Sequence, residues 1–306
     1  MPLKKTVNDS LSRLTGYQVT RAQGTGASLS ARQVSSLSAS SRDLAATAQD
    51  LAATVRDLEA ALKQARGDVS KPTAAKPKPK AETFPRDYDE DFCEIIRAVR
   101  PYSMTGNDKL HALISATKYV SRYNVPGDIV EFGVWRGGGM KAVALTLEAV
   151  DDFSRELYLY DTFEGMTAPT EKDVRFDGAP AAGLLETSGK DTAVWAVASL
   201  EDVQQRFAEG RYPQDKIHYI KGPVEETIPA QLPEQISILR LDTDWYESTD
   251  HEFKHAYDRL VSGGVLMIDD YGWWQGSRTA TDEFLERTGE KLLLLRMASG
   301  RVAIKP

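Results

Sequence analysis

From Asn107 onward the sequence alternates short apolar runs with helical stretches, and no other feature restricts the fold as strongly. The runs DIVEFGV (Asp128 to Val134), ELYLYD (Glu156 to Asp161), KIHYIK (Lys216 to Lys221), ISILRL (Ile236 to Leu241) and GVLMI (Gly264 to Ile268) have the length and bounds of strands. Helical stretches fall near Asp108 to Tyr123, Gly138 to Val150, Leu200 to Glu209, Ser248 to Leu260 and Ser277 to Arg287. Almost unbroken apolar strands separated by helices require both sheet faces to be covered, so the pattern predicts an α/β domain with a mostly parallel sheet. The end of the chain, LLLLRMASGRVAIKP, offers two more strands around Ser299-Gly300, an antiparallel finish to that sheet.

The chain before this pattern is different material. Residues 1–83 carry 13 Lys/Arg against 7 Asp/Glu, a balance of +6, which leaves 25 against 38, or −13, for residues 84–306. The first region also has a single aromatic, Tyr17, and no Trp, so it lacks the groups that fill a core. The domain is therefore expected at 84–306. Within the first region DLAATAQ, DLAATVR and DLEAALK repeat at a period of seven from Asp43 to Lys63, placing Leu37, Leu44, Leu51 and Leu58 on one heptad position. That predicts a helical coiled-coil segment over 31–67, a homo-oligomer through residues 34–65, or else a solvated Ala-rich helix. Alternating Pro and Lys in KPTAAKPKPKAET predict an extended linker over 68–83, and residues 1–30 read as a mobile segment.

Scattered basic residues without interleaved aromatics, ahead of an acidic domain, exclude a nucleic-acid partner. Three charges at Lys4, Lys5 and Arg13 give too little attraction for stable membrane insertion, no run of 18 apolar residues exists, and the start lacks a secretion signal. A lone Cys93 builds neither a disulfide framework nor a cysteine zinc site. The expected location is the cytoplasm.

Parallel sheets bind ligands beyond the carboxyl ends of their strands, so the residues there carry the functional expectations. The first strand runs into EFGVWRGGG, with Glu131 at its end and Gly133, Gly137, Gly138 and Gly139 around a turn into a helix. These glycines would let backbone approach a ligand, or would simply make a tight turn. The spacing is neither a strict dinucleotide fingerprint nor a P-loop. LYLYD ends at Asp161, a carboxylate able to accept two hydrogen bonds from a ribose diol, or to serve as a turn acid. ISILRL runs into Asp242-Thr243-Asp244 and VLMI into Asp269-Asp270. Neighbouring strands would bring these acids together, and carboxylates so close demand a cation. Asp242, Asp269 and Asp270 are thus the expected ligands of a hard divalent ion such as Mg²⁺, with Asp242 also the expected proton acceptor and Asp244 supporting. The alternative is that Asp244 and Asp270 cap helices or pair with Arg240 and Arg278. The stretch YGWWQG supplies Trp273 and Trp274 as an apolar wall for a ring-shaped substrate or as core, and Arg278 is placed to reach an anionic group or a surface partner. His251 and His255 lack the H-E-x-x-H arrangement of zinc proteases, and no G-x-S-x-G elbow is present.

The blocks VEFGVWRGG, LYLYDTFEGM, LRLDTDWYEST and GGVLMIDDYGWWQGSRTATDEF, in this order, resemble the macrocin-type (TylF-like) sugar O-methyltransferases, a branch of the class I S-adenosylmethionine-dependent enzymes. The resemblance covers about Pro101 to Gly289, with no counterpart for residues 1–83 in the family's core. It implies a Rossmann-like, seven-stranded, mostly parallel sheet with helices on both faces, S-adenosylmethionine as donor, and Mg²⁺-assisted transfer to a saccharide hydroxyl. By position it implies that Glu131, Gly133, Gly137 and Gly139 hold the methionine part of the donor and Asp161 its ribose. Met104 and Thr105 of YSMTGNDKL would lie over the donor, Val224 and Glu225 would flank the adenine, and Asp242, Asp269 and Asp270 would be the metal carboxylates. Arg175 to Val197 corresponds to a substrate-facing lid and gives no hint of the acceptor. Two readings compete with this one: a non-catalytic coiled-coil scaffold of a biosynthetic complex, and an O-methyltransferase with a catechol-like phenolic acceptor.

Overall fold

The computed structural model describes residues 83–190 and 192–306. The expectations for residues 1–82, the coiled coil and its oligomer included, lie outside the described residues. In chain order the elements are α1 (Glu90–Val99), α2 (Asn107–Arg122), β1 (Asp128–Phe132), α3 (Gly138–Ala149), β2 (Leu157–Asp161), α4 (Ala181–Thr187), α5 (Leu200–Ala208), β3 (Ile217–Lys221), α6 (Val224–Thr227), β4 (Ile236–Leu241), α7 (Tyr246–Ala256), β5 (Leu260–Ile268), α8 (Gln275–Thr288), β6 (Leu295–Met297) and β7 (Gly300–Ile304). The seven strands form one sheet in the order β3-β2-β1-β4-β5-β7-β6. Strands β1 to β5 run parallel, and β7 is antiparallel to both neighbours.

Alternation along each strand splits the interior into two layers. Ile129, Leu157, Leu159, Ile238, Val265 and Met267 face a core completed by Leu113 and Val120 of α2, Met140, Val143 and Leu147 of α3, and Phe207 of α5. Val130, Phe132, Tyr160, Leu239, Leu241, Leu266 and Ile268 face the opposite core with Phe253 of α7 and Phe284 of α8. Burial on both faces explains why the strands read as continuous apolar runs. All five expected parallel strands are present. β5 starts at Leu260 rather than Gly264, because the strand continues through a register shift at Gly263 and Gly264. Helix α1, outside the expected pattern, packs Phe92, Ile95, Ile96 and Val99 against α2 and α3.

The strand order reverses about β1, and the first residues beyond β1 and β4 touch there. Gly133 has φ +81°, and a Cβ on it would lie 2.1 Å from the Asp242 carbonyl oxygen. Only glycine lets the two chain ends approach this closely. Gly133→Ala is expected to destabilise the domain by on the order of 3 kcal/mol, read as a lowered denaturation midpoint; a cost under about 1 kcal/mol would contradict this contact.

Candidate active site

The carboxyl ends of β1, β2, β4 and β5 open into a cavity of about 530 Å³. Of the expected site residues, Met104, Thr105, Gly133, Asp161, Val224, Glu225, Asp242, Asp269, Asp270 and Trp273 line it. Glu131, Gly137, Gly139, Trp274 and Arg278 do not line it.

The register of the sheet explains Glu131. Glu131 of β1 stands directly opposite Arg240 of β4, and the two form an ion pair with both side chains 2% exposed. A Cβ on Gly139 would lie 2.5 Å from Glu131 Oε1, so Gly139 makes room for this pair. Gly137 turns into α3 at φ +78°, where Val203 and Phe207 of α5 leave no space for a Cβ. At the start of α3 these two glycines give room to their neighbours, and Glu131 lies outside the cavity lining. Trp274 is buried against Trp245, with its indole N–H donating to Asp244 Oδ1 at 2.6 Å. Arg278 projects to solvent beside Asp282 at 3.5 Å.

Arg240 is the hub of the charged network. Its Nη2 lies 2.8 Å from Asp242 Oδ2 and 2.6 Å from Asp269 Oδ1, and also donates to Thr105 Oγ1 at 3.1 Å. That last bond ties the segment before α2 to the sheet. Lys109, one turn into α2, pairs with the Asp269 carboxylate and donates to its carbonyl at 2.9 Å. Nothing in the sequence marks Lys109 as a site residue. Its place three residues into an amphipathic helix looks like a solvated face, and only the packing of α2 on β5 brings it to the acids.

The three expected ligands do converge: Asp242, Asp269 and Asp270 each offer an oxygen, all within 4.8 Å of one another. Burial opposes ionisation of Asp269, but Arg240 and Lys109 outweigh it and hold its carboxyl below the usual value. Burial pushes Asp242 well up, against the pull of Arg240. Asp270 is pushed to about 7, by burial first and then by Asp269. Asp270 Oδ2 is buried with no hydrogen-bond partner. With Glu131 and Asp244 the cluster holds five carboxylates against two buried cations, Arg240 and Lys109. Oxygen donors, residual negative charge and an orphaned buried oxygen fit a hard divalent cation.

Asp244 has a larger place than its supporting role in the sequence suggested. It lines the cavity, sits at φ +69°, and accepts from Trp274 through one oxygen. Burial and Asp270 raise its proton affinity well above the ordinary value. Asp161 accepts backbone N–H bonds from Trp135 and Phe163, each at 2.8 Å, so it pins the turns after β1 and β2 as well as lining the cavity. Thr162 Oγ1 also donates to its Oδ1 at 3.5 Å.

Behind this wall, Glu252 of α7 is fully buried, accepting from Thr243 Oγ1 at 2.8 Å through Oε1 while Oε2 has no partner. Burial raises its pKa well above the ordinary glutamate value. The folded protein therefore holds a proton that the unfolded chain releases above about pH 4.3, and stability falls as pH rises through the raised value. Glu252→Gln should flatten the loss of stability as pH rises above about 4.3, measured by urea midpoints; equal slopes in both proteins would contradict the buried acid.

The mouth of the cavity is closed on one side by the segment after β2. Val174 bridges Pro180, Arg175 bridges Trp274, and Ala196 reaches the cavity wall. Phe176 donates its N–H to the Trp273 carbonyl at 2.9 Å, and the two rings lie 5.0 Å apart, with Trp273 43% exposed.

The Macrocin-O-methyltransferase (TylF) family model matches residues 48–295. The match extends beyond the expected Pro101 to Gly289, so the statement that nothing before residue 84 has a family counterpart is corrected from residue 48 onward. The mycinamicin III 3''-O-methyltransferase of Micromonospora griseorubida is 32% identical over 204 residues, 67% of this chain and 76% of that one. The demethyldecarbamoylnovobiocin O-methyltransferase of Streptomyces niveus is 28% identical over 183 residues, 60% of this chain and 67% of that one. The solved structure of the O-methyltransferase NovP superposes with a TM-score of 0.59 at 27% identity, covering 67% of this chain and 82% of that one. With a seven-stranded sheet opening at its switch point onto an acid-lined cavity, and a family match over most of its length, this chain belongs to the macrocin O-methyltransferase (TylF) family and is an S-adenosylmethionine-dependent O-methyltransferase.

Proposed function

We propose that the enzyme methylates a sugar hydroxyl with the assistance of Mg²⁺. The observation that carries this reading is the convergence of Asp242, Asp269 and Asp270 beside the cavity. Its relatives' names add the acceptor class: the mycinamicin enzyme is a 3''-O-methyltransferase, and a third, 32% identical over 188 residues, is named for a rhamnosyl-tetracenomycin 4'-O-methyl transfer.

Of the residues lining the cavity, Gly133, Asp161, Met104, Thr105, Val224 and Glu225 would hold the donor, Asp161 at its ribose and Val224 and Glu225 at its adenine. Asp242, Asp269 and Asp270 would hold the cation, which when bound would lower the pKa of the acceptor hydroxyl. Lys109 and Arg240 fix the Asp269 carboxylate and leave the cluster short of neutral. Asp244 is better placed than Asp242 to take the hydroxyl proton, because Asp242 is paired with Arg240 and Asp244 meets only an indole N–H. With the donor bound, the deprotonated acceptor oxygen would take its methyl group as the carbon–sulfur bond breaks to leave a neutral thioether. No covalent enzyme intermediate is needed, so positioning and deprotonation supply the rate.

Incubation of the full chain with S-adenosylmethionine, Mg²⁺ and a panel of glycosides, nucleotide sugars and catechols tests this. The expected product is a sugar methyl ether, lost on EDTA treatment. Methylation of catechols alone would replace the acceptor, full activity in EDTA would remove the metal, and donor binding without transfer to any acceptor would leave a scaffold.

A further inference from the structure

One edge of the cavity carries charge opposite to the rest of the domain. Residues 84–306 have a balance of −13, yet the stretch Lys291 to Pro306 contains Lys291, Arg296, Arg301 and Lys305 and no acid. Arg296 and Arg301 stand directly opposite each other on β6 and β7. Like charges in that position weaken a hairpin, so the arrangement gains nothing for folding. The turn between them, Ala298 and Ser299, lines the cavity.

Both guanidinium groups are held at this turn. Arg296 Nε donates to the Ala298 carbonyl and Arg301 Nη1 to the Gly300 carbonyl, each at 2.8 Å. The Arg301 guanidinium lies 4.5 Å from the centre of the Tyr271 ring, and that of Arg278 lies 5.4 Å from the same ring. Gly272 N–H donates to the Ser299 carbonyl at 2.8 Å, which fastens the segment carrying Tyr271 and Trp273 to the turn. Two arginines thus flank one tyrosine beside the cavity-lining turn, and Arg296 stands opposite one of them across the hairpin. Among the described residues the carboxylate nearest to them in ion-pair terms is Asp282, 3.5 Å from Arg278 and already accepting from the Tyr271 hydroxyl at 2.7 Å.

We infer that this edge, with Arg296 and Arg301 at its centre and Arg278 beside them, binds the phosphate of an acceptor whose sugar is carried as a phosphate or diphosphate ester. Guanidinium forks match phosphate oxygens in pairs, and two of them held across a hairpin suit a diphosphate better than a single carboxylate. The sugar would then point inward, toward Asp244 and the metal carboxylates, while the ester remains at the mouth. The identity of the acceptor rests on the sugar O-methyltransferase reading above; the anion site itself does not.

The test uses the full chain, wild type against the double variant Arg296→Ala/Arg301→Ala, in two measurements. In the first, calorimetry in metal-free buffer with inorganic diphosphate as the probe should show binding to wild type that weakens at least about tenfold in the double variant, with partial recovery in Arg296→Lys/Arg301→Lys. In the second, methyl transfer is compared across nucleotide-diphosphate sugars, the matching sugar 1-phosphates and the matching methyl glycosides. Wild type should prefer the esters, and the double variant should lose that preference about tenfold through KM rather than kcat, more with the diphosphate than with the monophosphate. Equal diphosphate binding by both proteins, or a wild-type preference for the neutral glycosides, would overturn the inference while leaving the methyltransferase reading intact. Diphosphate binding that depends on the arginines, with no transfer to any sugar, would keep the anion site and reject the sugar reading.

Discussion

Asp242→Asn is expected to lower kcat on the order of 10³-fold while the protein still folds and binds S-adenosylmethionine. The substitution removes one of three converging metal oxygens, and also the partner of Arg240 Nη2 at 2.8 Å. It leaves Asp161 at the end of β2 untouched, and it leaves the backbone of Asp242, which Gly133 packs against, in place. Since the buried cluster carries an excess of carboxylates, losing one should leave stability equal or slightly higher in metal-free protein. Asp244→Asn separates the two roles assigned to this wall. It should lower kcat by about 10² to 10⁴ while Mg²⁺ binding, followed by calorimetry, survives. Full turnover in Asp242→Asn, or loss of Mg²⁺ binding in Asp244→Asn with retention in Asp242→Asn, would reverse or remove the assignment.

The second large effect belongs to Arg240. It is 2% exposed and reaches Glu131, Asp242 and Asp269 at once. Burial disfavours its charge, but Asp242 and Asp269 outweigh burial and raise its pKa. Arg240→Met keeps much of the side-chain length and deletes the charge, leaving Glu131 and Asp242 without their cation and Asp269 with Lys109 alone. Breaking a buried network from one side costs about 3–5 kcal/mol, which for a domain of this size lowers Tm by roughly 10 °C. Adding Glu131→Gln should recover part of the loss, because it removes the most deeply buried of the stranded charges. A loss below about 1 kcal/mol in the single variant, or no recovery in the double, would show that Arg240 is not what holds the acids together.

Much of the site was legible because strand ends are legible. Apolar runs bounded by Asp or Gly gave β1 to β5 nearly to the residue, and parallel pairing then places Asp161, Asp242, Asp269 and Asp270 on one edge whatever the remaining details. Lys109 was not legible, since nothing local marks a helical lysine as buried; it is drawn in by acids 160 residues away. The ion pair of Glu131 was not legible for a related reason. Its burial depends on standing opposite Arg240, a register that pairing sets and that composition does not. The same holds for Gly139, whose missing side chain accommodates that ion pair.

By itself, then, the sequence determined the layer order and the chemistry available at the cavity: strand periodicity is a local property, and acids after buried strands have few places to go. The tertiary structure alone decided which charges neutralise which. The Arg240 and Lys109 contacts, the proton affinities of Asp244, Asp270 and Glu252, and the arginines gathered at the hairpin all depend on distances between residues far apart in the chain. Electrostatic energy follows those distances and the burial around them, and neither can be read from spacing along a chain.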